Sequence, residues 1–482
     1  MPTQEMSRLN IKDISFISQI KSMAVIGPSK GRDFIFLRSH QENFKGELYA
    51  VHPTLKEIPG FDDGTQGKIY PSLKDIPNDV DFVFIAVPSS QVLSVMKDCV
   101  DKGVKLASIF TAEFSDSGTE EGEALEKELL KVAQNKVRIL GPNGMGLTYP
   151  RLGIAWRPKF PTNPGNLSFI SQSGGISNIA VYMSTRLGIN FSKVFSFGNG
   201  NDIDFVDLLY YLSNDPETDI ILCYLEGIKK NRGKDLKAVL AQNSKPIIMV
   251  KGGVSNSGSF AAQTHTAAIT GEHRIWKAIF EQFGVIEVES IEQMMHTAKL
   301  IDFHGLVKVK NVAVFSISGG YGVILVDLLE KHGINVPPFS PHIQKEIDSR
   351  FFVHGTSSKN PLDVSAQIFA SRIIYEIMDL ALSDDNLDGL VMDIPPWYFS
   401  QDFHIIKNKG FERHMIKAFS LGKKHHKLLI PIIQNVNCPE DRARIDKLLT
   451  EKKIPVFADP LEFIPLLQKI SKLANYSQER VI

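Results

Sequence analysis

The chain has 482 residues, which is too long for one ordinary domain and is typical of about three domains. Hydrophobic residues make up 43%, and the 54 Lys and Arg residues balance the 54 Asp and Glu residues, which disfavours a nucleic-acid-binding protein with a dominant basic surface. Three scattered cysteines, no apolar run of about 20 residues and no secretory signal at 1–21 predict a cytoplasmic protein without disulfides, metal sites or membrane spans.

Short aliphatic runs alternate with amphipathic segments in the first third of the chain. Strands are predicted at 22–27, 46–53, 80–88, 104–110 and 137–143. Between the third and fourth strands, Val92, Val95, Met96 and Cys99 have helical spacing. Apolar strands separated by helices are typical of a buried parallel sheet. Residues 1–150 are therefore predicted to form a Rossmann-like domain.

The same alternation restarts twice, after 156–166 and after 302–310. The next predicted strands are 167–175, 191–200, 219–228 and 245–253, followed by 311–320, 387–396, 428–436 and 454–460. The fold class predicted from this pattern is α/β, with three Rossmann-like or flavodoxin-like doubly wound domains and mainly parallel sheets. The predicted domains span 1–150, 151–305 and 306–482.

Four predicted strands run into turns rich in glycine or serine, at 25–31, 141–146, 170–177 and 316–322. A turn that opens a helix presents backbone N–H groups and the positive end of the helix dipole to an anion. Two of these turns, in separate predicted domains, carry small residues at a helix start. They would form a doubled phosphate site if they faced one another.

The stretch "QTHTAAITG" at 263–271 contains a histidine, His265, among small and hydroxyl side chains. A metal site is disfavoured because the nearest other histidine, His273, has no useful ligand spacing, and no nucleophile elbow is present for a triad. The remaining interpretation is a histidine that carries a phosphoryl group covalently. Imidazole is a good nucleophile when a carboxylate accepts a hydrogen bond from its other nitrogen. Glu226, directly after an apolar strand, is the candidate carboxylate.

Together these motifs resemble the α subunit of the ADP-forming acyl-CoA synthetases (acetate–CoA ligases), relatives of succinyl-CoA synthetase. The resemblance extends over essentially the whole chain, through "VIG…VHP…GPNGMG", "SQSGG…FGNG…YLEG…THTAAITG" and "SGGYGV…KNPLDVSA". It implies that His265 is a transient phosphohistidine and that Glu226 orients it. The phosphate-holding residues that it implies are Ser171, Ser173, Gly174, Gly175, Ser318, Gly319, Gly320, Tyr321 and Gly322.

The resemblance also implies a reaction and a partner. ATP would phosphorylate the histidine, the phosphohistidine would phosphorylate a small carboxylic acid, and the thiol of coenzyme A would attack the acyl phosphate. Because no convincing ATP-grasp segment is found among the predicted sheets, a separate ATP-grasp β subunit would bind ATP or ADP with magnesium, in an α2β2 assembly. Acetate, branched-chain, aryl and hydroxy acids all remain open as substrates.

In the first domain the resemblance implies a coenzyme A site. Its residues would be Gly27, Pro28, Ser29, Lys30, Val51, Pro53, Val87, Pro88, Ser89, Thr111, Ala112 and Asn143. The turn "TAEFSD" at 111–116 departs from the family pattern, because Glu113 stands where the family has glycine. Its carboxylate would add negative charge near the phosphates of coenzyme A, and Lys30, Arg32 and Arg38 are candidate compensating cations.

Three other functions compete with a synthetase. A non-catalytic sensor of CoA or acyl-CoA predicts a decayed phosphate site, yet His265, Glu226 and both helix starts are present. A nicotinamide-dependent oxidoreductase needs a full G-x-G-x-x-G turn and an acidic residue after the second strand, where His52 and Pro53 stand instead. A regulated protein acetyltransferase would need a further domain, for which the remaining length is too short.

Overall fold

The computed structural model describes residues 9–61, 67–260, 272–400 and 410–479. The chain divides into two compact units, Met1–Met294 and Met295–Ile482. The strands are β1 Ser22–Ile26, β2 Glu47–Val51, β3 Gly67–Tyr70, β4 Phe82–Ile85, β5 Leu106–Ile109, β6 Arg138–Leu140, β7 Gly146–Thr148, β8 Leu167–Ser171, β9 Phe191–Ser196, β10 Ile220–Leu225, β11 Ile247–Lys251, β12 Val285–Val288, β13 Val312–Ser316, β14 Leu362–Asp363, β15 Gly389–Asp393 and β16 Leu428–Ile432.

Helices connect most of these strands. They are α1 Ile35–Gln41, α2 Ser89–Lys102, α3 Glu120–Ala133, α4 Gly174–Leu187, α5 Phe205–Asn214, α6 Gly233–Gln242, α7 His273–Phe283, α8 Ile291–His304, α9 Gly319–Lys331, α10 Pro341–Asp348, α11 Ser371–Ser383, α12 Phe411–Phe419, α13 Leu421–His425, α14 Pro439–Glu451 and α15 Ile464–Glu479. Among the helices that the structure describes, none combines the length and the apolar character that crossing a bilayer requires.

Three sheets organise the chain. The first unit holds the sheets β3-β2-β1-β4-β5-β6 and β12-β11-β10-β8-β9-β7, and the second unit holds β14-β13-β15-β16. All neighbouring strands are parallel except β7 and β9. Apart from β3, the strands are almost wholly buried, which explains why most of them appear in the sequence as apolar runs. The predicted α/β fold class with mainly parallel sheets is confirmed.

Each sheet has a point where the strand order reverses, between β1 and β4, between β8 and β10, and between β13 and β15. The crevice at the carboxyl ends of such neighbouring strands is where doubly wound proteins bind ligands. Three of the four predicted glycine and serine turns follow β1, β8 and β13 and so begin at these points. The fold therefore places them at three separate candidate binding edges.

The fourth turn, at 141–146, has a structural role. It leads from the first sheet into β7 and packs against the turn at 197–200, where the N–H of Asn199 donates to the carbonyl of Pro142 at 3.0 Å. A side chain at Gly144 would lie 2.6 Å from the carbonyl oxygen of Ser196, and one at Gly198 would lie 2.2 Å from that of Pro142. The glycines are required because two backbones approach closely here.

One predicted strand is wrong, and four strands were not predicted. The segment 454–460 forms only an isolated bridge between Phe457 and Ile432, because Pro455 has no N–H to donate and Lys453 has a left-handed backbone. The strands missed in the sequence are β3, β7, β12 and β14, which have two to four residues each.

The loop after β10 is anchored by a buried guanidinium. Arg232 donates through Nε to Asp204 at 2.7 Å, and through Nη2 to Asp204 at 3.0 Å and Asp207 at 2.8 Å. Asp204 also caps α5 by accepting from the N–H groups of Val206 and Asp207. Burial raises the pKa of Asp207, and the neighbouring Asp204 raises it further, so the guanidinium balances two carboxylates that would otherwise repel each other.

Replacing Arg232 with methionine is expected to lower the free energy of unfolding of the first unit by about 3–5 kcal/mol, because buried carboxylates would lose their counter-charge. Urea unfolding of the variant and the wild type measures this difference. The matched control is Arg274→Met, since the Arg274 side chain is 89% exposed and 3.6 Å from Glu272, a pair that contributes little. Equal losses in the two variants would contradict the prediction.

Candidate functional site

At the reversal point of the second sheet, β8 and β10 hold Glu226 in a fixed position. The N–H of Gln172 donates to the carbonyl of Tyr224 at 3.2 Å. The Gln172 Oε1 in turn accepts from the N–H groups of Glu226 at 3.0 Å and Gly227 at 3.4 Å. The backbone of Glu226 is therefore tied to the turn that opens α4, and the predicted carboxylate lies beside the predicted phosphate turn.

The Glu226 residue is buried, with 5% of its surface exposed. The hydroxyl of Tyr224 donates to its Oε1 at 3.1 Å. A Cβ at Gly252 would lie 3.3 Å from the Glu226 Cγ, so the chain leaving β11 runs directly past this side chain. A buried carboxylate held in this way can orient a histidine ring without reorganising.

A buried lysine, Lys251, ends β11 and was missed in the sequence. Its Nζ donates to the backbone carbonyl of Glu226 at 2.6 Å and lies 5.4 Å from the centre of the Trp276 ring. Burial lowers the pKa of Lys251 to about 8, although the charges of Glu226 and Glu287 act to raise it. The site thus contains a cation whose proton is held weakly, next to the candidate catalytic carboxylate.

The turn after β8 has the geometry of an anion-binding helix start. Ser171 ends β8, and its hydroxyl donates to the carbonyl of Ser173 at 2.7 Å. Ser173 caps α4 by accepting from the N–H of Ile176 at 3.4 Å. Gly174 packs against Met145, whereas a Cβ at Gly175 would meet only the Ser173 hydroxyl, at 3.9 Å. Open space over the first helical turn is what a phosphate would need.

The turn after β13 in the second unit repeats this arrangement. The hydroxyl of Ser316 donates to the carbonyl of Ser318 at 2.6 Å, and the N–H of Ser318 donates back to the Ser316 hydroxyl at 3.1 Å. The predicted residues are the N-terminal cap of α9 and its first four positions, Ser318, Gly319, Gly320, Tyr321 and Gly322. Gly322 packs against Ser316, and Gly320 faces open space.

The predicted phosphohistidine, His265, lies at 261–271, outside the described residues. The structure does describe both flanks of this segment. The chain leaves β11 at Lys251, where the N–H of Gly252 donates to the carbonyl of Leu225 at 2.9 Å, and it continues in α7 from His273. Among the described residues, His, Cys, Asp and Glu form no group of three with the geometry of a metal site.

A cavity of about 340 Å³ lies at the reversal point of the first sheet. Six of the predicted coenzyme A residues line it, namely Gly27, Pro28, Ser29, Val87, Pro88 and Thr111. The other six, all within the described residues, lie outside its lining: Lys30, Val51, Pro53, Ser89, Ala112 and Asn143. Some of these act through the backbone, as Val51 does by accepting from the N–H of Gly27 at 3.0 Å.

Arg32 and several aromatic residues complete the cavity. The guanidinium of Arg32 lies 6.0 Å from the centre of the Phe110 ring, and Phe34, Ile35 and Phe36 line the same wall. Arg32 was expected only as a compensating cation, and the three hydrophobic residues were missed. The short helix α1 and the turn before it have no clear periodicity in the sequence. Arg32 could be predicted because it is an arginine next to a glycine turn.

Glu113, the departure from the family pattern, follows β5, and its side chain reaches the start of α2. Its carboxylate accepts from the Ser89 hydroxyl at 2.6 Å, and Ser89 is the first residue of that helix. The backbone of Glu113 has φ 73°, a conformation that favours glycine. The carboxylate therefore occupies the positive end of a helix that borders the cavity.

Replacing Glu113 with glycine is expected to tighten coenzyme A binding roughly five-fold at low salt, because a negative charge leaves a helix start beside the predicted coenzyme A cavity. Calorimetric titration of the full chain with coenzyme A measures the change. Glu113→Gln is the matched control, since it removes the charge and retains a side chain at the strained position. An unchanged dissociation constant in both variants would contradict the prediction.

Comparison with known proteins places the chain in a family. A model of the CoA binding domain matches residues 21–150, and a model of the succinyl-CoA ligase like flavodoxin domain matches 164–301. The α subunit of acetate–CoA ligase [ADP-forming] II of Pyrococcus furiosus is 35% identical over 375 residues, which cover 77% of this chain and 80% of that subunit. The chain belongs to the family of the ADP-forming acyl-CoA synthetases.

Other acetate–CoA ligases and a solved structure extend the match. Acetate–CoA ligase [ADP-forming] I of Archaeoglobus fulgidus is 31% identical over 462 residues, and this chain spans 63% of its length. The apo form of the dinucleotide-forming acetyl-coenzyme A synthetase 1 of Candidatus Korarchaeum cryptofilum has a TM-score of 0.80 and 27% identity, and the match covers 97% of this chain and all of that one. The predicted family, that of the ADP-forming acyl-CoA synthetases, is confirmed.

Proposed function

We propose that the chain is the α subunit of an ADP-forming acyl-CoA synthetase, which reversibly converts a carboxylic acid, coenzyme A and ATP into acyl-CoA, ADP and phosphate. The observation that carries the proposal is the buried Glu226 beside the start of α4, where the segment that bears His265 leaves the sheet. Phosphoryl transfer through histidine requires a histidine on a loop, a carboxylate that orients it and a helix start that binds the phosphoryl group.

In the proposed reaction an imidazole nitrogen of His265 attacks the γ-phosphorus of ATP and the bond to ADP breaks. A carboxylate oxygen of the acid then takes the phosphoryl group, which frees the imidazole and forms an acyl phosphate. The thiolate sulfur of coenzyme A attacks the acyl carbon, phosphate leaves and the thiol proton passes to solvent. Glu226 orients the imidazole, and the helix starts stabilise the charge on the phosphoryl group.

The nucleotide is proposed to bind on a separate ATP-grasp β subunit with magnesium, in an α2β2 assembly in the cytoplasm. Relatives named as α subunits, such as the one from P. furiosus, support a partner chain. On this chain, 1–150 would bind coenzyme A in the cavity beside Gly27, 151–305 would carry His265, and 306–482 would supply the second phosphate turn. We propose that the helix starts at Ser173 and Ser318 each bind a phosphoryl group.

The test is a labelling experiment on the chain co-expressed with a candidate ATP-grasp subunit. ATP labelled in the γ-phosphate should transfer acid-labile, base-stable label to this chain, and a carboxylic acid plus coenzyme A should discharge it. Discharge by one acid among acetate, branched-chain, aryl and hydroxy acids would also identify the substrate. A well-folded complex that binds coenzyme A and takes up no label would favour the non-catalytic CoA sensor instead.

A further inference from the structure

The second unit contains a buried carboxylate at its own reversal point. Asp393 ends β15, directly beside β13, and only 1% of its surface is exposed. It lies against the turn that opens α9, where the Ser316 side chain and the N–H of Ile317 favour its ionised form. Its Oδ1 has no hydrogen-bond partner among the described residues. A buried polar atom left without a partner at a helix start indicates a place for a ligand atom.

The groups that face Asp393 come from several elements. Tyr321 lies in the first turn of α9, Tyr398 follows β15, and Gln434 follows β16. Two further carboxylates flank the same turn. Asp459 acts on Tyr321, and the Oδ2 of Asp363 would lie 2.7 Å from a Cβ at Gly319. In the described part of the chain Asp393, Asp363 and Asp459 form no ion pair, so the field of these carboxylates opposes the positive field of the helix start.

Such a field conflicts with an anion at the start of α9 unless one carboxylate is neutral. Burial raises the pKa of Asp393 to about 6, although Ser316, the N–H of Ile317 and Gln434 oppose the shift. The group can therefore take up a proton near neutral pH at small cost. A neutral carboxyl in an apolar site can donate a hydrogen bond to an anion, whereas an ionised one would repel it.

We propose that Asp393 acts in its protonated form as a hydrogen-bond donor to the phosphoryl anion at the start of α9, so that anion binding takes up one proton from solvent. The bond forms between the carboxyl O–H and an anion oxygen. The proposal rests on the proposed function, in which this helix start holds a phosphoryl group. Asp393 is then a positioning residue that makes the second phosphate turn sensitive to pH.

The sign of the pH dependence follows from this linkage. At a pH below the pKa of Asp393 the carboxyl is already protonated, so this group adds no pH dependence to the anion affinity. Above about pH 6 each binding event must first protonate Asp393, so affinity falls by up to about ten-fold per pH unit. The substitution Asp393→Asn should remove the dependence, because an asparagine side chain is permanently neutral and can donate through its amide.

The experiment measures sulfate binding to the full chain between pH 5 and 8, because sulfate is a tetrahedral dianion that does not titrate in this range. We expect Asp393→Asn to bind sulfate at least about ten-fold more tightly than wild type at pH 7.5 and equally at pH 5. Asp363→Asn is the matched control and should retain the wild-type pH slope. Titration calorimetry of wild type in two buffers of different ionisation enthalpy should show uptake of nearly one proton at pH 7.5.

Equal pH slopes in wild type and Asp393→Asn, or no proton uptake, would overturn the proposal. Failure of wild type to bind sulfate at pH 5 would overturn it as well. The assay uses neither ATP, coenzyme A nor a partner subunit, so its outcome is separate from that of the labelling test. A protein that takes up no phosphoryl label and still shows the Asp393-dependent proton uptake would refute the synthetase function alone.

Discussion

Replacement of His265 with alanine is expected to abolish phosphoryl labelling of the chain and to lower the rate of acyl-CoA formation by at least about 10⁴-fold. The reason is that the proposed covalent intermediate cannot form without the imidazole, and removal of a nucleophile has effects of this size. Labelling with γ-labelled ATP and steady-state kinetics of the complex measure both quantities. Coenzyme A binding should be unchanged, since the proposed coenzyme A cavity lies in residues 1–150, away from His265 in sequence and in sheet.

The matched control for His265 is the nearest other histidine. His273 begins α7, and its Nε2 lies 2.7 Å from Oε1 of Glu287, so it has a partner away from the proposed transfer. His273→Ala should retain the label and most of the activity. Loss of label in His273→Ala with retention in His265→Ala would reassign the phosphohistidine to the other position.

Replacing Glu226 with glutamine is expected to lower kcat by about 10²–10⁴-fold without lowering the midpoint of thermal unfolding. The backbone contacts of Glu226 with Gln172 and Lys251 do not depend on the carboxylate, and Tyr224 can still donate to the amide oxygen. In the proposed reaction positive charge would develop on the imidazole of His265, and a neutral glutamine would not stabilise that charge. Label should therefore form slowly and still reach the wild-type amount.

The control variant for Glu226 is Glu287→Gln. Glu287 also attracts the ammonium group of Lys251, less than Glu226 does, and it contacts His273. A general loss of negative charge near Lys251 would affect both variants alike, whereas an orienting role for Glu226 affects only the first. Similar kcat values for Glu226→Gln and wild type would remove Glu226 from the mechanism.

Lys251 and Asp393 show why part of the candidate site could not be predicted. Each is the last residue of a strand whose preceding residues are apolar. A charged residue at a strand end is usually solvated, and nothing in the neighbouring letters indicates that other elements will cover it. Lys251 is buried partly by the Trp276 ring of α7, and Asp393 by groups of α9 and of the segments after β15 and β16.

The residues of the coenzyme A cavity likewise include some that the sequence predicted and some that it could not predict. Gly27 and Val87 follow buried strands in predicted α/β repeats, so the sequence placed both at a carboxyl edge. Phe34 and Phe36 line the cavity because Asp33 and Phe34 have left-handed backbones, which turn the chain abruptly before α1. Such a turn without glycine has no signature in the residue pattern.

By itself the sequence determined the α/β class, the alternation of strands and helices, and the positions of the turns at Gly27, Ser173 and Ser318, because these depend on local periodicity and on small residues at helix starts. The tertiary structure alone decided which strand ends are neighbours. The pairing of β8 with β10 brings Ser171 and Gln172 to Glu226, and the pairing of β13 with β15 brings Ser316 to Asp393. Strand order results from the packing of whole sheets and helices, and no local pattern encodes it.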